Sequence, residues 1–478
     1  MAADLHSELP IRPIPRDIRA VGNVNGDERR HKHSRSSYSE ASPLASRNNS
    51  LTFRPAKRPT PSPDKTIAVI NASGRQAASL IRVATAVGYH VRAQLRNLEG
   101  VVATEVATNP NVTVLRGELY TREERPSGSE QVDVTRDGPI SGIGVNHALI
   151  SELFKGAQLA FINTTFYGDE QRIGEALADA AKEAGIQHYI YSSMPDHHAY
   201  NKDWPSLPLW ASKHRVEEYV KKIGLPATFV YTGIYNNNFT SLPYPLFCTE
   251  LQPDGSWIWQ APFHPDVKLP WLDAEHDVGP AILQIFKDGV KKWGGGKRIS
   301  LAYEMLSPRE ACEVFSRGVG RPVRYVHGPI QIKVSIPEGY RAQLEALEAL
   351  FGLGRDDPKK QPPYFGDAEL ESSCPRVALE LWEGPRGLEE YAREVFPLEE
   401  QANGLTWMLD DGEEGIKNSI RRTANGNGHP HHINGYITTL QQVTLQSDGE
   451  DEDEDGDGDG DGGLVMRGLK RDDEEWLA

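Results

Sequence analysis

Cysteine is scarce: only Cys248, Cys312 and Cys374 occur in 478 residues. No two of them form a CxxC pair and their number is odd. That argues against both a disulfide framework and a cysteine-ligated metal, and fits a reducing compartment. No apolar run approaches the roughly 18 residues a membrane span needs, and no apolar stretch follows Met1, so neither a span nor a secretory signal is expected. Positive charge is also in deficit, with 52 Lys and Arg against 68 Asp and Glu, a formal charge of -16. A folded body of that sign is not built to grip nucleic-acid phosphates directly, whereas a basic protein partner suits it.

The imbalance sits at the ends. Ten carboxylates fall between Asp448 and Asp461, while residues 1–60 carry eleven Lys and Arg against six acids. Residues 1–63, typified by "RRHKHSRSSYSEASPLASRNNS", and residues 411–478 lack apolar periodicity. Such segments bury too little surface to offset chain entropy and read as a disordered basic arm and a disordered acidic tail. Two tail motifs imitate metal sites. Asp455, Asp457, Asp459 and Gly460 match the start of a calcium loop, but its twelfth position is Met466 instead of Glu, and flanking helices are missing. His429, His431 and His432 stand in a Gly/Asn-rich stretch, read as ordinary low-complexity sequence. No metal site is expected.

What remains is a body of residues 64–410 in which strand and helix patterns alternate. Short β-branched runs stand at "TIAVI", "HVRAQL", "NVTVLRG", "AQLAFINTT", "QHYIYSS" and "ATFVYTGIY". Apolar residues at helical spacing fill about 75–87, 171–184 and 211–223. That alternation predicts an α/β fold: a Rossmann-type doubly wound parallel sheet with helices on both faces, over about 64–235. A polar, Gly/Ser/Arg-rich insertion at about 118–144 interrupts it, and a smaller α/β subdomain is interleaved from about 236 to 410.

The stretch "IAVINASGRQAAS" follows the first strand and has the rhythm of a dinucleotide-binding turn. Such a turn wants a small first residue, a glycine where backbone meets pyrophosphate, and a small third residue for helix–strand packing. Here those places hold Asn71, Gly74 and Ala77. Asn tolerates a left-handed backbone better than other side chains do, Ala still packs closely, and the amides from Ser73 to Gln76 are placed to face an anion at a helix N-terminus. A plain structural βα turn is the alternative. An NAD-selective fold sets an acid at the end of the second strand; this chain has Arg96, with Arg92 nearby. A guanidinium suits a 2'-phosphate, although a solvated arginine at a strand end reads the same.

Short-chain dehydrogenases place a Ser at the end of the fifth strand and Tyr-x-x-x-Lys on the next helix. Ser192, Ser193 and Lys213 are present, but four residues before Lys213 stands Leu209, which cannot donate a proton. Tyr191 and Tyr200 are not spaced to replace it. Lys213 is left to contact a nicotinamide ribose or to be a helix-surface lysine.

"KTIAVINASGRQAASLIRVATAVGYHVRAQ", "QHYIYSSMPDH", "TFVYTGIYNNNFTSLPYPLF" and "PWLDAEHDVGPAILQIFKDG" together resemble the NmrA family of nitrogen metabolite repression regulators in filamentous fungi, from Lys65 through "YAREVFPLEEQANGLTWML". The resemblance implies an atypical short-chain dehydrogenase fold that binds oxidised NAD or NADP without turnover. It implies a monomeric corepressor of nucleus and cytoplasm that engages a GATA-type zinc-finger activator. By resemblance, cofactor contacts fall on Asn71, Ser73, Gly74, Arg75, Gln76, Ala77, Arg96, Asn163, Thr164, Ser192 and Lys213. Ser73 stands where relatives carry Thr, and Arg96 where His is usual, so the preference between NAD and NADP stays open. The same resemblance places partner contacts on Glu275, Asp277, Gln284 and Phe286, with Asp273 alongside. Acidic residues there would steer a cationic finger. They would equally complement a helix dipole, and Phe286 would equally be core. An NADPH-dependent reductase of the isoflavone-reductase type, using Lys213, is the competing class.

Overall fold

A computed structural model describes residues 65–121, 144–166 and 168–405. The basic arm, most of the insertion, the acidic tail, the calcium-like run and the His429 cluster lie outside those residues. Seven strands build the central sheet: β1 (Thr66–Val69), β2 (His90–Leu95), β3 (Val112–Arg116), β4 (Leu159–Ile162), β5 (His188–Ser193), β6 (Ala227–Thr232) and β7 (Lys297–Leu301). Their order is β7-β6-β5-β4-β1-β2-β3, and every pairing is parallel. The order reverses between β1 and β4, the switch point at which doubly wound sheets open a crevice beyond their carboxyl ends.

Helices cover both faces. On one, α1 (Arg75–Ala86) and α2 (Val101–Thr108) close a core with Ile67, Val69, Val91 and Ile190. On the other, α3 (His147–Phe154), α4 (Glu170–Glu183) and α5 (Pro208–Lys222) pack over Ala68, Ile162, Tyr189 and Tyr191. Strands buried on both sides read as continuous apolar runs, which is why six of the seven are legible in sequence. The insertion leaves from a two-stranded antiparallel base, Tyr120–Thr121 with Gly144–Val145.

The seventh strand comes from the interleaved part. Two three-stranded sheets are completed only by Glu304–Leu306 and Val323–His327, after the chain has run from Tyr235 to β7 at the sheet edge beside β6. In between, α6 (Ala274–Asp288), followed by the short α7 (Val290–Trp293), packs back on the first helix. Gly279 of α6 makes that approach possible: a Cβ there would lie 2.3 Å from the Ser79 carbonyl oxygen. Its amide donates to Ser79 Oγ at 2.9 Å. The interleaved part is held by aromatic rings, Phe239 stacked on Trp271 at 5.6 Å and tilted against Phe315 at 4.9 Å. Helices α8 (Pro308–Val319), α9 (Glu338–Phe351), α10 (Leu388–Glu394) and α11 (Phe396–Ala402) complete it.

Candidate nucleotide cleft and acidic helix

The turn after β1 has the geometry a pyrophosphate needs. Asn71 adopts a left-handed backbone, φ 48°. Its side chain donates to the Asn163 carbonyl at 2.7 Å, tying the end of β1 to the end of β4. Its amide is taken by the buried Gln94 Oε1 of β2 at 2.9 Å. Gly74 sits at the N-cap of α1 with an extended backbone, and no side chain caps the helix. The first amides of α1 therefore keep no side-chain acceptor, the condition for an anion site. Ala77 is buried, as close packing of helix on strand requires; Ser73 is half-buried.

Side chains in the same turn work differently. Arg75 is turned inward to Glu275 at 2.6 Å and Glu399 at 3.1 Å, so its guanidinium clamps α1 to α6 and α11. Gln76 donates to the Tyr235 hydroxyl, and its buried Oε1 has no partner among the described residues. Their contribution to an anion is through backbone amides.

Beyond the carboxyl ends of β1, β2 and β4 lies an open cleft lined by Asn71, Gln94, Arg96, Glu118, Thr164 and Thr165. Arg96 faces it; Arg92 does not, because its guanidinium binds the Leu153 carbonyl at 3.0 Å and Glu152 at 3.0 Å on α3. The reading of Lys213 as a surface lysine is corrected. It is buried, pairs with the buried Glu170 at 3.1 Å, and donates to the Thr164 carbonyl and, at 3.4 Å, to Asn163 Oδ1. Glu170 also accepts from Ser212 and from Thr164 Oγ1 at 2.8 Å. Ser192 is buried near the end of β5, and the neighbouring Ser193 hydroxyl has no partner among the described residues. Leu209 is buried, its amide donating to Gln343 Oε1 of α9 at 2.9 Å. Leu209 is thus packed against the interleaved part.

The exposed acidic cluster suggested by sequence is also corrected. Asp273 is fully buried: it caps α6 by accepting from the amides of Glu275 and His276, both at 3.1 Å, and pairs with Arg386 at 3.2 Å. Asp277, also fully buried, accepts from His276 Nδ1 at 2.6 Å and from the Arg386 amide at 3.1 Å. Only Glu275 keeps partial exposure, and it is bound to Arg75. Gln284 is half-buried and donates to Asp288 at 2.6 Å. Phe286 is buried edge-on against the His188 ring at 5.6 Å. Sequence reading missed Gln94, Glu170 and Arg386. Gln94 carried a signal, a polar residue at the buried end of a strand; Glu170, at a polar helix start, and Arg386 carried none.

Burial, with Asp277 adding to it and Arg386 opposing it, pushes the Asp273 carboxyl up to about 6. The hydrogen bond that His276 donates to Asp277 raises His276. Both groups hold a proton more tightly folded than unfolded, so their stabilisation is complete below the unfolded values of about 3.9 and 6.5 and is lost as pH rises through the folded ones. Between about pH 4 and 7 the wild type should lose roughly 2–3 kcal/mol relative to Asp273→Asn. Melting curves of the two proteins across that range check this; parallel curves would clear Asp273 of the effect.

The model of the NmrA-like family matches residues 63–392. The nitrogen metabolite repression protein nmr of Neurospora crassa is 76% identical over an alignment that covers 100% of both chains. The nitrogen metabolite repression protein nmrA of Emericella nidulans is 53% identical over 72% of this chain and 99% of its own. Among solved structures, NmrA, described as a negative transcriptional regulator, is similar in complex with NAD and in complex with NADP. Each complex has a TM-score of 0.63 and 56% identity, over 72% of this chain and 99% of that one.

Proposed function

The chain belongs to the NmrA-like family, and from that premise we propose that it is a negative transcriptional regulator of nitrogen metabolite repression. It holds NAD or NADP as a sensor, without turnover, and acts on a GATA-type zinc-finger activator in nucleus and cytoplasm. The observation that carries this reading is the contrast within one cleft. The binding half is built, with a left-handed Asn71, an uncapped α1 and Arg96 at the cleft. What supports the absence of turnover is that Leu209, read from sequence at the donor position, is packed against Gln343, and that Lys213 is held by Glu170.

These residues fit a dinucleotide. Bound, it would supply two phosphate charges and a redox-active nicotinamide. The α1 amides would meet the phosphates, with a field that favours an anion. Arg96 would meet a ribose 2' substituent, while Asn163, Thr164 and Lys213 already form one rigid group beyond β4. Arg96→Glu is expected to weaken NADP about tenfold more than NAD, since a charge-assisted contact is worth roughly 1.5–3 kcal/mol. Calorimetry with both nucleotides measures this, and equal losses would show that Arg96 does not face the 2'-phosphate.

The partner is tested directly. A purified GATA zinc-finger domain should be retained by the immobilised chain, and retention should fall as salt shortens the Debye length below about 8 Å. No retention at low salt would remove the finger from the proposal while leaving the nucleotide site standing.

A further inference from the structure

The end of the sheet opposite the nucleotide cleft gathers lysines from five elements. Lys65 precedes β1, Lys182 and Lys222 lie in the last turns of α4 and α5, Lys287 and Lys291 flank the junction of α6 and α7, and Lys297 opens β7. All six are exposed, and none has a carboxylate partner among the described residues. Contacts join them into one face. Lys297 donates to the Lys292 carbonyl, and the ammonium groups of both stand over the Trp293 ring. The Trp293 carbonyl accepts from Thr228, which bonds His188 at 2.8 Å. Lys65 stands just before β1, at the same end of the parallel sheet as Lys297 at the start of β7. Lys221 borders Gly296, next to Lys297, and Lys182 donates to the Ile223 carbonyl just after α5.

The acids here are mostly spent. Asp288 holds Lys292 at 2.7 Å, and Glu217 and Glu218 hold Lys221 and Arg298. Of the acids near the face, Asp179 and Glu183 have no ion pair among the described residues, and Asp179 accepts from the Tyr219 hydroxyl at 2.8 Å. Helix dipoles account for cations at individual helix ends, but not for Lys65 or Lys297, which lie on strands or before them. In a chain of charge -16, six unpaired exposed lysines on one face want an anionic partner.

We propose that this lysine face docks the chain's own acidic segment, Asp448–Asp461. The segment offers ten carboxylates, and no Lys or Arg occurs between Arg422 and Arg467. It begins 43 residues beyond Leu405, the last described residue (448 − 405). At ~3.3–3.6 Å per residue that tether reaches up to roughly 140 Å, against a radius of gyration of ~20 Å for a body this size. Tethering supplies the segment at an effective concentration that an anion from solution would have to match. The matched NmrA structures cover 72% of this chain and 99% of their own, so the docking belongs to sequence outside the shared body.

The test is zero-length carbodiimide cross-linking of the full chain, with peptide mapping. Links from Asp448–Asp461 should concentrate on Lys222, Lys287, Lys291 and Lys297. They should fall about tenfold in about 1 M salt, where the Debye length is about 3 Å. A Lys287→Glu, Lys291→Glu, Lys297→Glu variant should lose them about tenfold by like-charge repulsion, with unchanged nucleotide calorimetry reporting an intact fold. Links spread evenly over lysines elsewhere, such as Lys268 and Lys333, or formed only between two molecules, would overturn the proposal. So would a random-sequence DNA duplex that binds the full chain through these lysines as tightly as it binds a chain ending before Asp448, because the face would then be open to phosphates.

Discussion

A Gly74→Glu chain is expected to fold normally and to lose NAD and NADP binding by about a hundredfold or more. Gly74 has φ -68° and ψ 154°, an ordinary extended conformation that any residue adopts, so a side chain brings no backbone strain. Glutamate at a helix N-cap is also compatible with the dipole. The damage falls on the ligand. A side chain projects where backbone must approach the pyrophosphate, and its carboxylate meets phosphate charge in a partly dehydrated cleft. Repulsion and lost amide contacts together worth about 3 kcal/mol correspond to the hundredfold loss. Calorimetry beside a thermal melt separates the outcomes. Undiminished heat of NADP binding in a variant that melts like wild type would place the nucleotide elsewhere.

Gly279→Val should produce the largest structural effect. The glycine is where α6 rests on α1, and a Cβ would meet the Ser79 carbonyl oxygen at 2.3 Å and the Leu80 amide nitrogen at 2.7 Å. Those atoms are backbone within a helix, so relief requires the helices to separate, which breaks the bond to Ser79 Oγ and stretches the Arg75–Glu275 pair. Overpacking of this kind costs about 3 kcal/mol or more. Because α1 carries the anion-facing amides, nucleotide affinity should fall along with stability. Denaturant unfolding and calorimetry on the same preparation test both. A variant as stable as wild type would mean that the two helices are not coupled through this contact.

Much of the fold was legible because a parallel sheet buried on both faces writes itself as short apolar runs. β2 is read to the residue from "HVRAQL", and the left-handed Asn71 is anticipated from side-chain chemistry. Helices α2 and α3 were not individually read, being eight residues each. The acidic segment misled for a physical reason. "WLDAEHDVG" has the same composition whether its carboxylates face solvent or cap and staple a helix, and Arg386, which covers Asp273 and Asp277, lies over a hundred residues away. Arg75 is the same case: its partners Glu275 and Glu399 are 200 and 324 residues distant, so a side chain counted with the phosphate turn proved to be an interhelical clamp. The return of β7 to the sheet was hidden likewise, since no local pattern says which edge a strand joins.

The central claim is that a dinucleotide is held and not consumed. The most direct measurement follows nicotinamide absorbance while the protein is incubated with NADPH and a panel of carbonyls and quinones, after calorimetry has shown the cleft to be saturated. With Leu209 packed against Gln343 and Lys213 bound to Glu170, the predicted result under the proposed reading is oxidation no faster than in the protein-free control. Substrate-dependent oxidation by the wild type that disappears in Gly74→Glu would contradict the account and make the cleft that of a reductase.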